Sequence, residues 1–203
     1  MRCLMCHEEI GNGRNLSELL FEEDVLCHSC RSKWTKQIEH FELNGVKGMS
    51  YWNYDDIFSS YLIQFKECND EALKDAFLFP IKKEVKRYLK GRTLLLMPSS
   101  KSKLKARGFS HLKEMYEQLE LPMLEPFEKM NEVDQKELSA EGRKQMEYSI
   151  RLKPSVKIPK KVAVVDDVIT TGASIKGALH ALEGTDTNIR IFSASKVEKS
   201  LYS

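Results

Sequence analysis

Alternating strand and helix signatures predict an α/β fold, with a mostly parallel sheet flanked by helices and a small cysteine-rich module ahead of it. Three observations carry this expectation. Short apolar runs of strand length, at residues 93–97, 161–165 and 189–194, recur between stretches of helical periodicity. Two Cys-x-x-Cys pairs fall within the first thirty residues. The 203 residues are 41% hydrophobic, enough to bury a sizeable core and to exclude wholesale disorder.

In chain order, residues 1–45 form the expected module and residues 46–203 the α/β domain, with Asn44-Gly45 and Gly48 marking the junction. Residues 49–54 alternate aromatic and polar side chains in part, like a strand. Asp55-Asp56 opens a helix, with Ile57, Tyr61, Ile63 and Phe65 partly at helical spacing. Leu73, Phe77, Ile81, Val85 and Leu89 recur every four residues, and Pro80 should kink or divide that stretch. The run at 93–97 ends at Pro98 and feeds a loop. Residues 111–119 read as a helix, and 121–142, with Pro122 and Pro126, as short pieces at best. Residues 161–165 are a buried strand, 174–182 a helix and 189–194 the last strand.

Formal charge is +2, but residues 82–113 hold eleven bases against Glu84 alone, so this segment carries +10 and the remainder −8. Such a local excess points to an anionic partner. No apolar run is long enough to span a bilayer, and the amino terminus lacks a signal peptide's apolar stretch. The expected location is the cytoplasm, where disulfides are rare. Cys3, Cys6, Cys27 and Cys30 instead have the spacing of two knuckles that present four thiolates to one structural Zn2+. Cys68 stands alone and reads as a packing residue. His40, His111 and His180 have no evident partners in the sequence.

The strongest functional signal follows the 161–165 run. Asp166 and Asp167 stand at a strand's carboxyl end, where open α/β sheets place ligands. Thr170, Thr171, Gly172, Ala173 and Ser174 then form a small hydroxyl-rich loop opening onto a helix. Gly172 lets the backbone approach an anion, while hydroxyls and helix-start amides donate to it. Two adjacent acids fit the 2′ and 3′ hydroxyls of a ribose, and the loop fits its 5′-phosphate. Residues 162–174 resemble, position by position, the 5-phosphoribosyl-1-pyrophosphate (PRPP) motif of type I phosphoribosyltransferases. That resemblance implies PRPP as ligand, with Mg2+ arriving mainly on its pyrophosphate.

A second constellation follows residues 93–97. Lys101, Lys103, Lys105 and Arg107 place four cations at alternate positions, suited to a pyrophosphate or to DNA. Proline, a basic stretch and then Arg107-Gly108-Phe109 is similar to the ComF family, in which Asn-Gln more often follows where this chain has Ser110-His111. Gln135, Leu138 and Arg143 resemble, more weakly, that family's mobile loop over the ligand. The cysteine module matches its amino-terminal zinc ribbon. The resemblance implies a type I phosphoribosyltransferase-like domain and a role in natural transformation. Single-stranded DNA and a helicase-like competence ATPase are the implied partners, and that ATPase is the implied route to the inner membrane face.

Two functional readings stand open at this level. One is a binding module for PRPP and DNA. The other is an active phosphoribosyltransferase acting on an unidentified nitrogenous base, for which no catalytic base is evident in the sequence.

Overall fold

A computed structural model describes residues 1–10, 24–129, 150–154 and 156–197. Its strands are β1 (Lys36–Leu43), β2 (Val46–Asn53), β3 (Thr93–Leu96), β4 (Met123–Leu124), β5 (Phe127–Lys129), β6 (Ile150–Leu152), β7 (Lys161–Ile169) and β8 (Asn188–Lys196). Six of them form one sheet in the order β1-β2-β8-β7-β3-β4, and β5 and β6 form a separate antiparallel pair. All pairings in the large sheet are parallel except β1 with β2. The helices are α1 (His28–Arg31), α2 (Asp56–Glu67), α3 (Lys82–Tyr88), α4 (Lys101–Arg107), α5 (His111–Glu117) and α6 (Ala173–Ala181). The predicted α/β class, a mostly parallel sheet flanked by helices, is the observed one.

Burial explains the parallel centre. Val162 to Val165, Leu94 to Leu96 and Ile191 to Ser195 are buried on both faces, as covered parallel strands require. Leu73, Phe77, Ile81, Val85 and Leu89 all enter the core, and Pro80 divides their stretch into two 3-10 turns followed by α3. Helix α2 is capped by Asp55, whose carboxylate accepts from the Phe58 amide at 2.9 Å. Its core face is Phe58, Leu62 and Phe65; Ile57 and Ile63 are exposed, so only part of the anticipated stripe is the inner one.

Two expectations change. The expected cysteine module of residues 1–45 includes residues 36–43, but these are β1, the edge strand of the large sheet. Asn44 and Gly45, at φ 49° and 76°, are the turn of the β1–β2 hairpin rather than a junction. Gly48 lies within β2 opposite Phe41, and a side chain there would collide with the Phe41 ring. The basic stretch read as a loop is helix α4, capped by Ser100 and closed by Gly108 at φ 83°. Four cations at alternate positions on a helix point to different sides, so they do not act as one comb.

Residues 1–10 and 24–35 pack on this domain through an aromatic cluster. Trp34 contacts Phe58, Phe77 and Trp52 at centroid distances of 4.9, 5.4 and 5.5 Å. Arg31 bridges Asp24 at 2.7 Å and donates to the Ala76 carbonyl at 2.9 Å.

Candidate functional site

The topology opens a crevice between β3 and β7. The chain leaves β3 toward β4 on one side and leaves β7 toward β8 on the other, and ligands of open sheets bind where such connections diverge. Strand β7 does not stop at Val165 as anticipated. It continues through both acids to Ile169, held by β8, while its pairing with β3 ends at Leu96 and Val165. Pro98 has no N–H to extend the ladder and the β3 chain turns away. Asp166 and Asp167 therefore stand where β7 loses one neighbour. They line a cleft of about 190 Å³ together with Lys66, Lys103, Lys129 and Ser174.

The two acids have different surroundings. Asp167 is 3% exposed and accepts from Lys66 Nζ at 2.6 Å and from His111 Nε2 at 2.7 Å, both on Oδ2. His111 Nδ1 faces an Arg107 guanidinium nitrogen at 2.7 Å. A guanidinium only donates, so Nδ1 must accept and Nε2 must carry the single imidazole proton, given to Asp167. Arg107 also donates to the Lys66 carbonyl and lies 3.5 Å from Glu67. Lys66, Arg107, His111 and Asp167 thus form one buried network joining α2, α4, α5 and β7. Asp166 is only partly buried and borders the cleft, its backbone carbonyl accepting from Tyr116 Oη at 2.7 Å.

Titration follows these surroundings. Burial would raise the Asp167 carboxyl, but the His111 hydrogen bond and the Lys66 ammonium outweigh it and hold it below the usual carboxylate range. Burial, then the charge on Asp167, pushes the Asp166 carboxyl well up. Burial lowers His111 despite Asp167 beside it, consistent with a neutral ring. The pair therefore holds one firmly ionised, internally bound carboxylate and one carboxyl facing the cleft.

Residues 170–172 lead from the end of β7 into α6. Thr170, Thr171, Ala173 and Ser174 are exposed, and Gly172 is the N-cap of α6 at φ 78°. A Cβ at Gly172 would lie 3.2 Å from Leu43 Cδ1, so the loop rests on the tip of β1. The cations of α4 divide. Lys103 lines the cleft and pairs with Glu67 at 3.3 Å, Lys105 is exposed, and Arg107 is buried in the network. Lys101 begins α4. Gln135 and Arg143 lie outside the described residues.

His111, Lys66 and Lys129 complete the cleft, and sequence reasoning assigned none of them to it. The available signal was the departure from the family pattern at Ser110-His111. His180 pairs with Glu183 at 3.1 Å, and the His40 ring lies 6.5 Å from that of Tyr88. Cys68 is exposed at the end of α2 rather than packed inside.

The four amino-terminal cysteines come together. One ligand atom from each of Cys3, Cys6, Cys27 and Cys30 lies within 4.8 Å of the others, a cluster able to hold a metal ion. Cys6 and Cys27 sulfurs are 3.6 Å apart, well beyond a disulfide bond. The Cys27 amide points at Cys3 Sγ from 3.2 Å, as suits a thiolate. Burial works to raise the Cys3 thiol, but backbone amides of Cys27, Cys6 and Met5 outweigh it and bring it to about 7. Burial and the adjoining thiols push Cys30 up instead. Four such sulfurs ionise together only around a cation, and the donor set fits a tetrahedral soft-ligand ion.

Among the described residues no helix is long and apolar enough to cross a membrane. No protein-family model matches the chain. It is similar to competence protein ComFC of Streptococcus pneumoniae (strain ATCC BAA-255 / R6), 25% identical over 207 residues, covering 90% of this chain and 94% of that protein. It is also similar to competence protein ComFC of Bacillus subtilis (strain 168), 22% identical over 210 residues, covering 89% and 88%.

Proposed function

We propose that the chain is a competence protein of the ComF family that binds PRPP in the cleft between β3 and β7, a reading supported by its similarity to the two ComFC proteins. The observation that carries this reading is the cleft itself, with Asp166 and Ser174 both on its wall at the end of β7. Asp166 would bind ribose hydroxyls, and residues 170–174 the 5′-phosphate at the start of α6. Lys103 and Lys129 would face the pyrophosphate and its Mg2+. Asp167 serves through the network that fixes β7 more than through direct contact.

Binding is favoured over transfer. His111 is the one histidine lining the cleft among the described residues, and both its nitrogens are engaged. It is not a free base for activating an acceptor. In this reading the protein supports the passage of single-stranded DNA in natural transformation. It works in the cytoplasm and docks on a helicase-like ATPase at the inner membrane face. The cysteine cluster would hold one structural Zn2+ and keep the amino-terminal module folded against Trp34.

Calorimetric titration with PRPP and Mg2+ tests the cleft. Asp166→Ala should weaken PRPP by about tenfold, the loss of the carboxyl that hydrogen-bonds the ribose. Unchanged affinity removes the ribose assignment. Pyrophosphate release with any purine or pyrimidine base would restore the transferase reading. Metal analysis of the purified chain should return about one zinc per molecule; none removes the ribbon.

A further inference from the structure

A second cleft, of about 490 Å³, lies at the other end of the same strands. Lys90 and Arg92 precede β3, Lys160 and Lys161 open β7, and Arg190 lies near the start of β8. Lys161 and Asp166 are five positions apart on β7, roughly 16 Å of strand, so the two clefts lie at opposite ends of the same strands.

Charge sets this cleft apart. Five cations face one carboxylate, Asp186. None of the five forms an ion pair with a described residue. Lys90, Lys160 and Lys161 are exposed. Arg92 is 9% exposed and is held in place by neutral groups: it donates to the Val162 carbonyl at 3.0 Å, the Asn188 carbonyl at 2.8 Å and Asn188 Oδ1 at 2.6 Å. Arg190 is fixed by the Tyr88 carbonyl and stacks 5.0 Å over the Tyr88 ring. Buried charges usually have a counter-charge. Here two arginines are oriented in advance by neutral groups, and three exposed lysines line the same cleft.

The +10 segment points the same way once its members are placed. Lys82 and Lys86 bridge to Glu120, Lys103 to Glu67, and Arg107 is buried in the front network. Lys90 and Arg92 are the members that line the rear cleft, together with Lys160, Lys161 and Arg190. We propose that the cleft at the amino ends of β3, β7 and β8 is the track for the phosphate backbone of single-stranded DNA, separate from the PRPP cleft. The proposal rests on the DNA-binding part of the proposed function and gives it a surface. An open groove with several cations suits a chain of phosphates, each neutralised in turn.

The test compares the full chain with a variant carrying Lys90→Gln, Lys160→Gln and Lys161→Gln. The probe is a fluorescein-labelled twenty-residue oligothymidylate, titrated at several salt concentrations, with PRPP affinity measured in parallel. The variant should bind the oligonucleotide roughly tenfold more weakly at low salt. Its log–log salt slope should be shallower by about 2, for three lost phosphate contacts on a single strand. PRPP affinity should be unchanged, which also reports an intact fold. DNA binding equal to that of the unmodified chain overturns the proposal alone and leaves DNA binding to another surface. If the unmodified chain does not bind the oligonucleotide, both this proposal and the DNA-binding reading fall. Should the variant not fold, acetylation footprinting of the unmodified protein decides: DNA protects Lys90, Lys160 and Lys161 if the proposal holds, and leaves them as reactive as before if it does not.

Discussion

The two ends of the sheet use the same kinds of residue in opposite ways. At the carboxyl end, Lys66 pairs with Asp167 and Arg107 with Glu67, and the neutral His111 ring links Arg107 to Asp167 in one network. At the amino end, Arg92 and Arg190 are fastened by backbone carbonyls, and neither forms an ion pair with a described acid. The difference teaches that a count of cations does not locate an anion site. The +10 segment contributes to both ends, but its charge at the front is largely spoken for, and at the rear it is available.

The largest test of this contrast is Asp167→Ala. It strands the Lys66 ammonium without its carboxylate and leaves the His111 Nε2–H without its acceptor, and should cost about 3–5 kcal/mol of stability by urea denaturation. The three rear lysine-to-glutamine changes should stay within about 0.5 kcal/mol in the same assay, since those side chains balance nothing. Similar losses at the two ends would break the comparison.

A smaller effect sharpens it. His111 has its proton affinity lowered by burial, so the unfolded chain takes up the proton first. Its contribution is complete above the ordinary imidazole range, near pH 6.5, and is lost as the pH falls from there through the folded value. The slope is at most about 1.4 kcal/mol per pH unit for one proton. His111→Gln keeps the pattern, an amide donor to Asp167 and a carbonyl acceptor for Arg107, but does not titrate. Melting temperatures between pH 7.5 and 5 should fall less steeply for the variant. Parallel curves would mean that His111 is not the neutral bridge described above.

What the sequence made legible was whatever depends on neighbours in the chain. The run through Asp166, Asp167 and residues 170–174 is contiguous, so its chemistry was readable, as were the paired cysteines. The period-four core residues from Leu73 to Leu89 and the break at Pro80 were equally local. Helix α4 was missed because Lys-Ser-Lys-Leu-Lys-Ala-Arg presents no apolar face; its end caps and helix-forming side chains make it a helix instead. Strand β1 was missed because an edge strand alternates only between exposed and half-buried positions. His111 passed for a residue without partners because Asp167 lies fifty-six positions away and the network closes only in three dimensions. The rear cleft was illegible for the same reason, drawing on residues 90–92, 160–161 and 186–190.

The chain has two tryptophans, Trp34 and Trp52, and their rings meet edge to face at 5.5 Å where the cysteine module rests on the α/β core. Both are buried, and neither lines either cleft. Intrinsic fluorescence is therefore an optical gauge of one joint. Adding or withdrawing Zn2+ at the four cysteines, or loosening the module, should alter the emission, while occupation of either cleft leaves it nearly silent.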